Sequence, residues 1–203
     1  MSAHAATADG HHHADGTVSA YHESLLRSPV FLGMIMFLGS EIMLFGSFFT
    51  IFFYMRFTHT PWPPEGMEIP KEATGINTAI LISSSFTLHF AQESIKKNNR
   101  LGLQLGMVAT FLLGLTFLFI QINEYVHIGF APQDHAQGSI FYGLTGLHGA
   151  HVTIGLMLLL FVTIRSFRGH FSSTSHRGVE VPGIYWHFVD VMWIIVFTTV
   201  YVL

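Results

Sequence analysis

Across 203 residues half are hydrophobic and only a tenth are charged, with 20 Phe and 9 Met against 9 Lys plus Arg. So little charge cannot solvate a globular surface, and the balance is that of a chain built for lipid. The net charge of −3 gives no basis for a nucleic-acid partner, and the absence of cysteine excludes disulfides, thiolate metal sites and covalently attached c-type haem.

Residues 1–28 open MSAHAATADGHHHADG, rich in Ala, Gly, His and Asp. Without an apolar core this stretch is no signal peptide and reads as a mobile tail, in which His11, His12 and His13 form a solvated tract. Residues 29–203 are expected to form one transmembrane domain. Five apolar segments, 30–54, 75–95, 101–126, 139–164 and 183–203, are each long enough for a hydrocarbon core of about 30 Å at about 1.5 Å per residue. The fold class is therefore all-α, a polytopic membrane bundle of five transmembrane helices. Pro29 suits the first turn of the first helix, where its missing N–H would be unpaired anyway. The connection 56–74, with TPWPPEG at its centre, is expected to be an external loop, and KKNNR at 96–100 forces a tight antiparallel hairpin.

Lys and Arg set the orientation. Arg27, Lys96, Lys97, Arg100, Arg165, Arg168 and Arg177 fall on one side, and only Arg56 and Lys71 on the other. The amino end is therefore expected in the cytoplasm and the carboxyl end outside. Ala79, Ser83, Thr87 and Ala91 repeat every fourth residue, as do Gly102, Gly106, Thr110 and Gly114, and such small-residue stripes let membrane helices approach closely. Gly143, Gly146 and Gly149 suggest another close crossing.

Polar groups within these segments are costly and point at protein rather than lipid. Glu41 stands about 16 Å along the first segment, near the midplane, where it is either a proton-handling acid or a hydrogen-bond anchor between helices. His148 and His151 share one helix face, as do His187 and Asp190 in YWHFVDVMW (185–193). These four could ligate a metal, but interhelical hydrogen bonding is the favoured reading. Two His three residues apart on one helix cannot bind opposite faces of one haem. His89, Glu93 and Glu124 lie nearer helix ends, within reach of water or loop partners.

The blocks GSIFYGLTGLHGAHV (138–152) and YWHFVDVMW closely resemble subunit III of the haem-copper terminal oxidases. GSEIMLFGSFF (39–49), NTAILISSSFT (77–87) and QINEY (121–125) agree as well, one block per helix and in the family's order. The five segments are similar to the shorter bacterial form that lacks the first two helices. That form occurs in cytochrome c oxidases and in quinol oxidases, and WPP in the first loop with QINEY is more similar to the cytochrome c branch.

The resemblance implies a non-catalytic subunit of the bacterial cytoplasmic membrane that holds no haem or copper, these being in partner subunits. Subunit I would be its main contact, with subunit II and a small subunit IV as further neighbours. Its implied work is to stabilise subunit I, support proton uptake, bind phospholipid and protect against inactivation during turnover. Glu41 falls on the family's carbodiimide-reactive membrane carboxyl, and Arg165 on an arginine that contacts a phospholipid head group. The stretch from Arg165 through His170, Phe171, His176 and Gly178 to Glu180 keeps the family spacing and departs from it at Val181, Pro182 and Gly183. Glu124, His148, His151, Glu180, His187 and Asp190 are then buried polar contacts between helices. Two other functions would use the same residues: a secondary transporter relaying protons through Glu41 and the His/Asp cluster, and a metalloenzyme holding an ion on His148, His151 and His187. A transporter would show internal repeats or broken helices, and the sequence has neither.

Overall fold

The computed structural model of the chain describes residues 28–58, 70–134, 136–169 and 177–203. The His-rich tail, the TPWPPEG stretch, His170 and His176 lie outside them. The described residues form α1 (Pro29–Thr58), α2 (Lys71–Lys96), α3 (Arg100–His127), α4 (Ala136–Phe167) and α5 (Arg177–Phe197), and α5 closes in a π-helical turn at Thr198–Val202. There is no strand among them.

Each helix runs past its apolar segment, because hydrogen bonding continues into the polar interface after hydropathy has fallen. The connection expected at 56–74 is accordingly shorter, with Arg56 and Thr58 still in α1 and Lys71 and Thr74 already in α2. Similarly, α5 begins at Arg177 and takes Pro182 inside it, at the cost of the hydrogen bond that the Gly178 carbonyl would receive. At the other end of the chain's described core, Ser28 caps α1 by accepting from the Phe31 N–H at 3.2 Å, and Pro29 takes the first helical position.

Four helices, α1, α3, α4 and α5, are long and apolar enough to cross a membrane. The fifth, α2, has the length, about 39 Å at a rise of about 1.5 Å per residue, but carries Asn77, Thr78, Ser84 and Ser94. Those side chains are buried against neighbouring helices, so the helix is polar where it meets protein.

In the bundle α2 packs on α3, α3 on α4, α4 on α5, and α5 returns to α2, closing a ring of four. The helix α1 lies outside it, against α4 and more lightly α5. A single seam makes that contact. Leu38, Phe45 and Phe52 are the buried residues of α1, seven residues apart, which is the period that keeps one narrow stripe on a partner helix. Most of the rest, such as Val30, Met36, Met43 and Phe57, is exposed and apolar, as hydrocarbon requires. The core draws on every helix, and its largest fully buried side chains, Trp186, Trp193, Tyr185 and Tyr201, come from α5 and its closing turn.

The KKNNR hairpin forms as expected. Asn98 takes the left-handed region at φ 58°, which asparagine tolerates, and Asn99 caps α3 by accepting from the Gly102 N–H at 3.0 Å. The small-residue stripes pack only in part. Thr87 and Ala91 meet Gly106 and Thr110, with the two threonine hydroxyls 2.8 Å apart, whereas Ala79 and Ser83 are exposed. Four residues turn a helix by about 40° more than a full circle, so a fourth-residue stripe rotates out of a straight interface within two repeats. Gly114 has rotated in the same way and faces Trp186 instead of α2. On α4 only Gly143 makes the expected close approach, to Phe48 of α1, while Gly146 and Gly149 face open space. Gly155, which no stripe singled out, is the tight one, pressed against Trp186.

Candidate functional site

The polar residues of the helices separate into distinct clusters. Glu41 of α1 meets His151 of α4, with Oε2 2.7 Å from Nε2. The same ring places Nδ1 2.8 Å from the Leu147 carbonyl oxygen. A carbonyl only accepts, so Nδ1 carries a proton. One further proton then lies on the Glu41–His151 contact, as a carboxylic acid facing neutral imidazole or as a carboxylate facing imidazolium, and either arrangement leaves the pair without net charge. Phe45 covers the ring at 5.0 Å between centroids, and the Tyr185 hydroxyl donates to the His151 carbonyl at 3.2 Å. Glu41 thus adds a polar tie between α1 and α4 to the apolar seam, and its partner lies 110 residues away in the chain.

His148 does not share that partner. It is buried between Phe117, edge-on at 5.9 Å, and Trp193, tilted at 4.6 Å, and neither ring nitrogen has a hydrogen-bond partner among the described residues. His187 and Asp190 join at Ser85 of α2: the Ser85 oxygen lies 3.1 Å from His187 Nδ1 and is hydrogen-bonded to Asp190 Oδ2. The histidines at 148, 151 and 187 therefore serve three separate contacts. No group of three or more metal-binding side chains comes together among the described residues.

Glu124, placed near a helix end, finds its protein partners on other helices. Its two carboxyl oxygens accept from Thr74 of α2 at 2.9 Å and from Tyr201 at 3.0 Å, so that it ties the start of α2 to the end of α5 through α3. Glu93 pairs with Lys96 at 3.0 Å. Glu180 is half-buried in the first turn of α5. Arg165 is exposed near the end of α4, its guanidinium 5.7 Å from the Phe161 ring centre, beside an apolar groove of about 340 Å³ lined by Val30, Phe31, Leu158 and Pro182. Thr74, Ser85 and Tyr201 were invisible as site residues in the sequence. Each is an ordinary helix residue until the fold brings an acid from another helix to it.

The family model for cytochrome c oxidase subunit III matches residues 10–203. A cytochrome c oxidase subunit 3 of Thermostichus vulcanus is 44% identical over 173 residues, covering 85% of this chain and 86% of the relative. The Synechocystis protein of the same name is 45% identical over 173 residues, 84% of this chain and 74% of its own length. The rabbit (Oryctolagus cuniculus) protein is 36% identical over 194 residues, 92% of this chain and 74% of its own length.

Proposed function

Because the chain belongs to the cytochrome c oxidase subunit III family, we propose that it is the accessory, non-catalytic subunit of a proton-pumping oxygen reductase in a bacterial cytoplasmic membrane. Membership makes it a membrane subunit of a respiratory oxidase, a partner of other oxidase subunits. In the proposed reading it packs chiefly on subunit I, crosses the bilayer five times with its amino end inside, and leaves haem and copper to its partners. The name shared by its relatives supports cytochrome c as the electron donor. The observation that carries the reading is the match to one family over nearly the whole chain. Affinity purification through this chain should bring down a haem-containing, cytochrome c-oxidising assembly. A chain that purifies alone, or that holds its own haem or copper, overturns it.

Two features support the finer roles. The Arg165 guanidinium sits at a groove with apolar walls, which suits an anionic phospholipid whose phosphate meets the guanidinium and whose acyl chain enters the groove. The neutral Glu41–His151 pair supports a role near proton uptake, since it keeps a proton in the membrane without a net buried charge. Replacing Arg165 by Ala removes one charge-assisted contact and should lower affinity for anionic lipid about tenfold. Lipid counting by mass spectrometry on the purified complex, with the active lifetime during turnover, checks this. Unchanged lipid content and lifetime would remove Arg165 from the site.

A further inference from the structure

Facing stripes on α2 and α5 lead from a helix end to the interior. Along α2 they are Gln92, His89 and Ser85, and along α5 Gly183, His187 and Asp190, each set spaced at three or four residues and so on one face. Gln92 occupies the place a side chain on Gly183 would need. His89, one turn from Ser85 on the same face of α2, is exposed. At the inner end Asp190 is only 4% exposed, and its Oδ1 has no hydrogen-bond partner among the described residues.

We propose that His187, Ser85 and Asp190 form a proton-exchanging relay, in which Asp190 takes up and returns a proton delivered along the α2–α5 face. Ser85 has one hydroxyl proton and stands between a ring nitrogen and a carboxyl oxygen. It can donate to only one of them. With Asp190 ionised, Ser85 donates to Oδ2 and accepts from His187 Nδ1–H. When a proton reaches His187 Nε2, Nδ1 passes its own proton to the Ser85 oxygen and Ser85 passes its hydroxyl proton to Oδ2. The result is a neutral acid donating to Ser85, which now donates to Nδ1, with the ring proton on Nε2. One proton has entered, one resides on Asp190, and every bond broken is replaced. The tautomer of His187 and the protonation of Asp190 are thus locked together by a single hydroxyl. The relay stands on these contacts alone and does not depend on the lipid or accessory roles.

Infrared spectroscopy of the assembled oxidase tests it, with aspartate carbons isotopically labelled so that Asp190 is assigned by comparison with Asp190→Asn. An acid carbonyl band from Asp190 should rise and fall with pH and exchange in heavy water. Ser85→Ala should retain the band while slowing its exchange about 100-fold, and Ser85→Thr, which restores the hydroxyl, should recover the rate. If Asp190→Asn does not assemble, Asp190→Glu, which keeps an acid but carries no aspartate label, assigns the band in its place. An Asp190 band fixed in one form at every pH overturns the relay, and so does exchange in Ser85→Ala at the unmodified rate. Activity of the oxidase is not the readout, so failure of the accessory reading would leave this result interpretable.

Discussion

Replacing Trp186 by alanine should destabilise the subunit by about 3 kcal/mol, near the low end for deleting a buried aromatic ring. The low end applies because in lipid the competing environment is already apolar, so the loss is mainly of van der Waals contact. Those contacts are unusually close. A Cβ on Gly114 of α3 would fall 2.5 Å from the Trp186 ring, and one on Gly155 of α4 2.8 Å from it. The indole therefore lies between two helices that approach it with no side chain intervening. Its N–H donates to Ser84 of α2 at 2.9 Å, so one residue of α5 touches all three other helices of the ring. Trp186→Phe should recover about half the loss, keeping most of the ring but not the hydrogen bond. Dissociation of the subunit from solubilised oxidase, followed against temperature, gives the measurement. A shift equivalent to under about 1 kcal/mol would mean that the ring closes over the gap, and the packing account would be wrong.

His151→Leu should release α1 at a cost of about 3 kcal/mol, because it strands the Glu41 carboxyl in the membrane without its partner. Glu41→Gln should be mild. With Nδ1 still donating to Leu147, Nε2 of a neutral ring can accept from the new amide N–H, so α1 remains fastened and assembly and most oxygen reduction persist. The double change Glu41→Leu with His151→Leu should recover part of the loss, since no polar group then remains unpaired. Hydrogen exchange along α1 in the purified complex distinguishes these outcomes. Equal protection in His151→Leu and in the unmodified protein would remove the pair as the fastening, and total loss of oxygen reduction in an assembled Glu41→Gln complex would contradict an accessory role.

The positions of the helices were legible because a run of some 20 apolar residues is a signal carried by neighbours in sequence. The helix start at Pro29 was legible for the same reason, since proline acts on its own turn. What could not be read was pairing across the bundle. Glu41 and His151 were each visible as improbable in lipid, yet nothing local tells an acid on α1 which of several buried histidines it will meet. His148 and His151 look equivalent in HGAH, and only three-dimensional packing assigns one to an acid and the other to aromatic rings. Small residues misled for a geometric reason, since the stripe at 79, 83, 87 and 91 follows a line that winds away from the neighbour it was expected to touch. Gly155, isolated in sequence, became decisive because Trp186 happens to press there.

The position of α5 also bears on how the protein is made. It is the last of the five helices to leave the ribosome, yet it supplies the indole N–H for Ser84, the indole N–H for Thr78, the carboxyl for Ser85 and the phenol for Glu124. Without it the hydroxyls of Thr78 and Ser84 keep only their bonds to the Thr74 and Leu81 carbonyls of their own helix, and Glu124 loses the Tyr201 phenol. A nascent chain halted before Arg177 is therefore expected to be a poor substrate for assembly and a good one for membrane proteases.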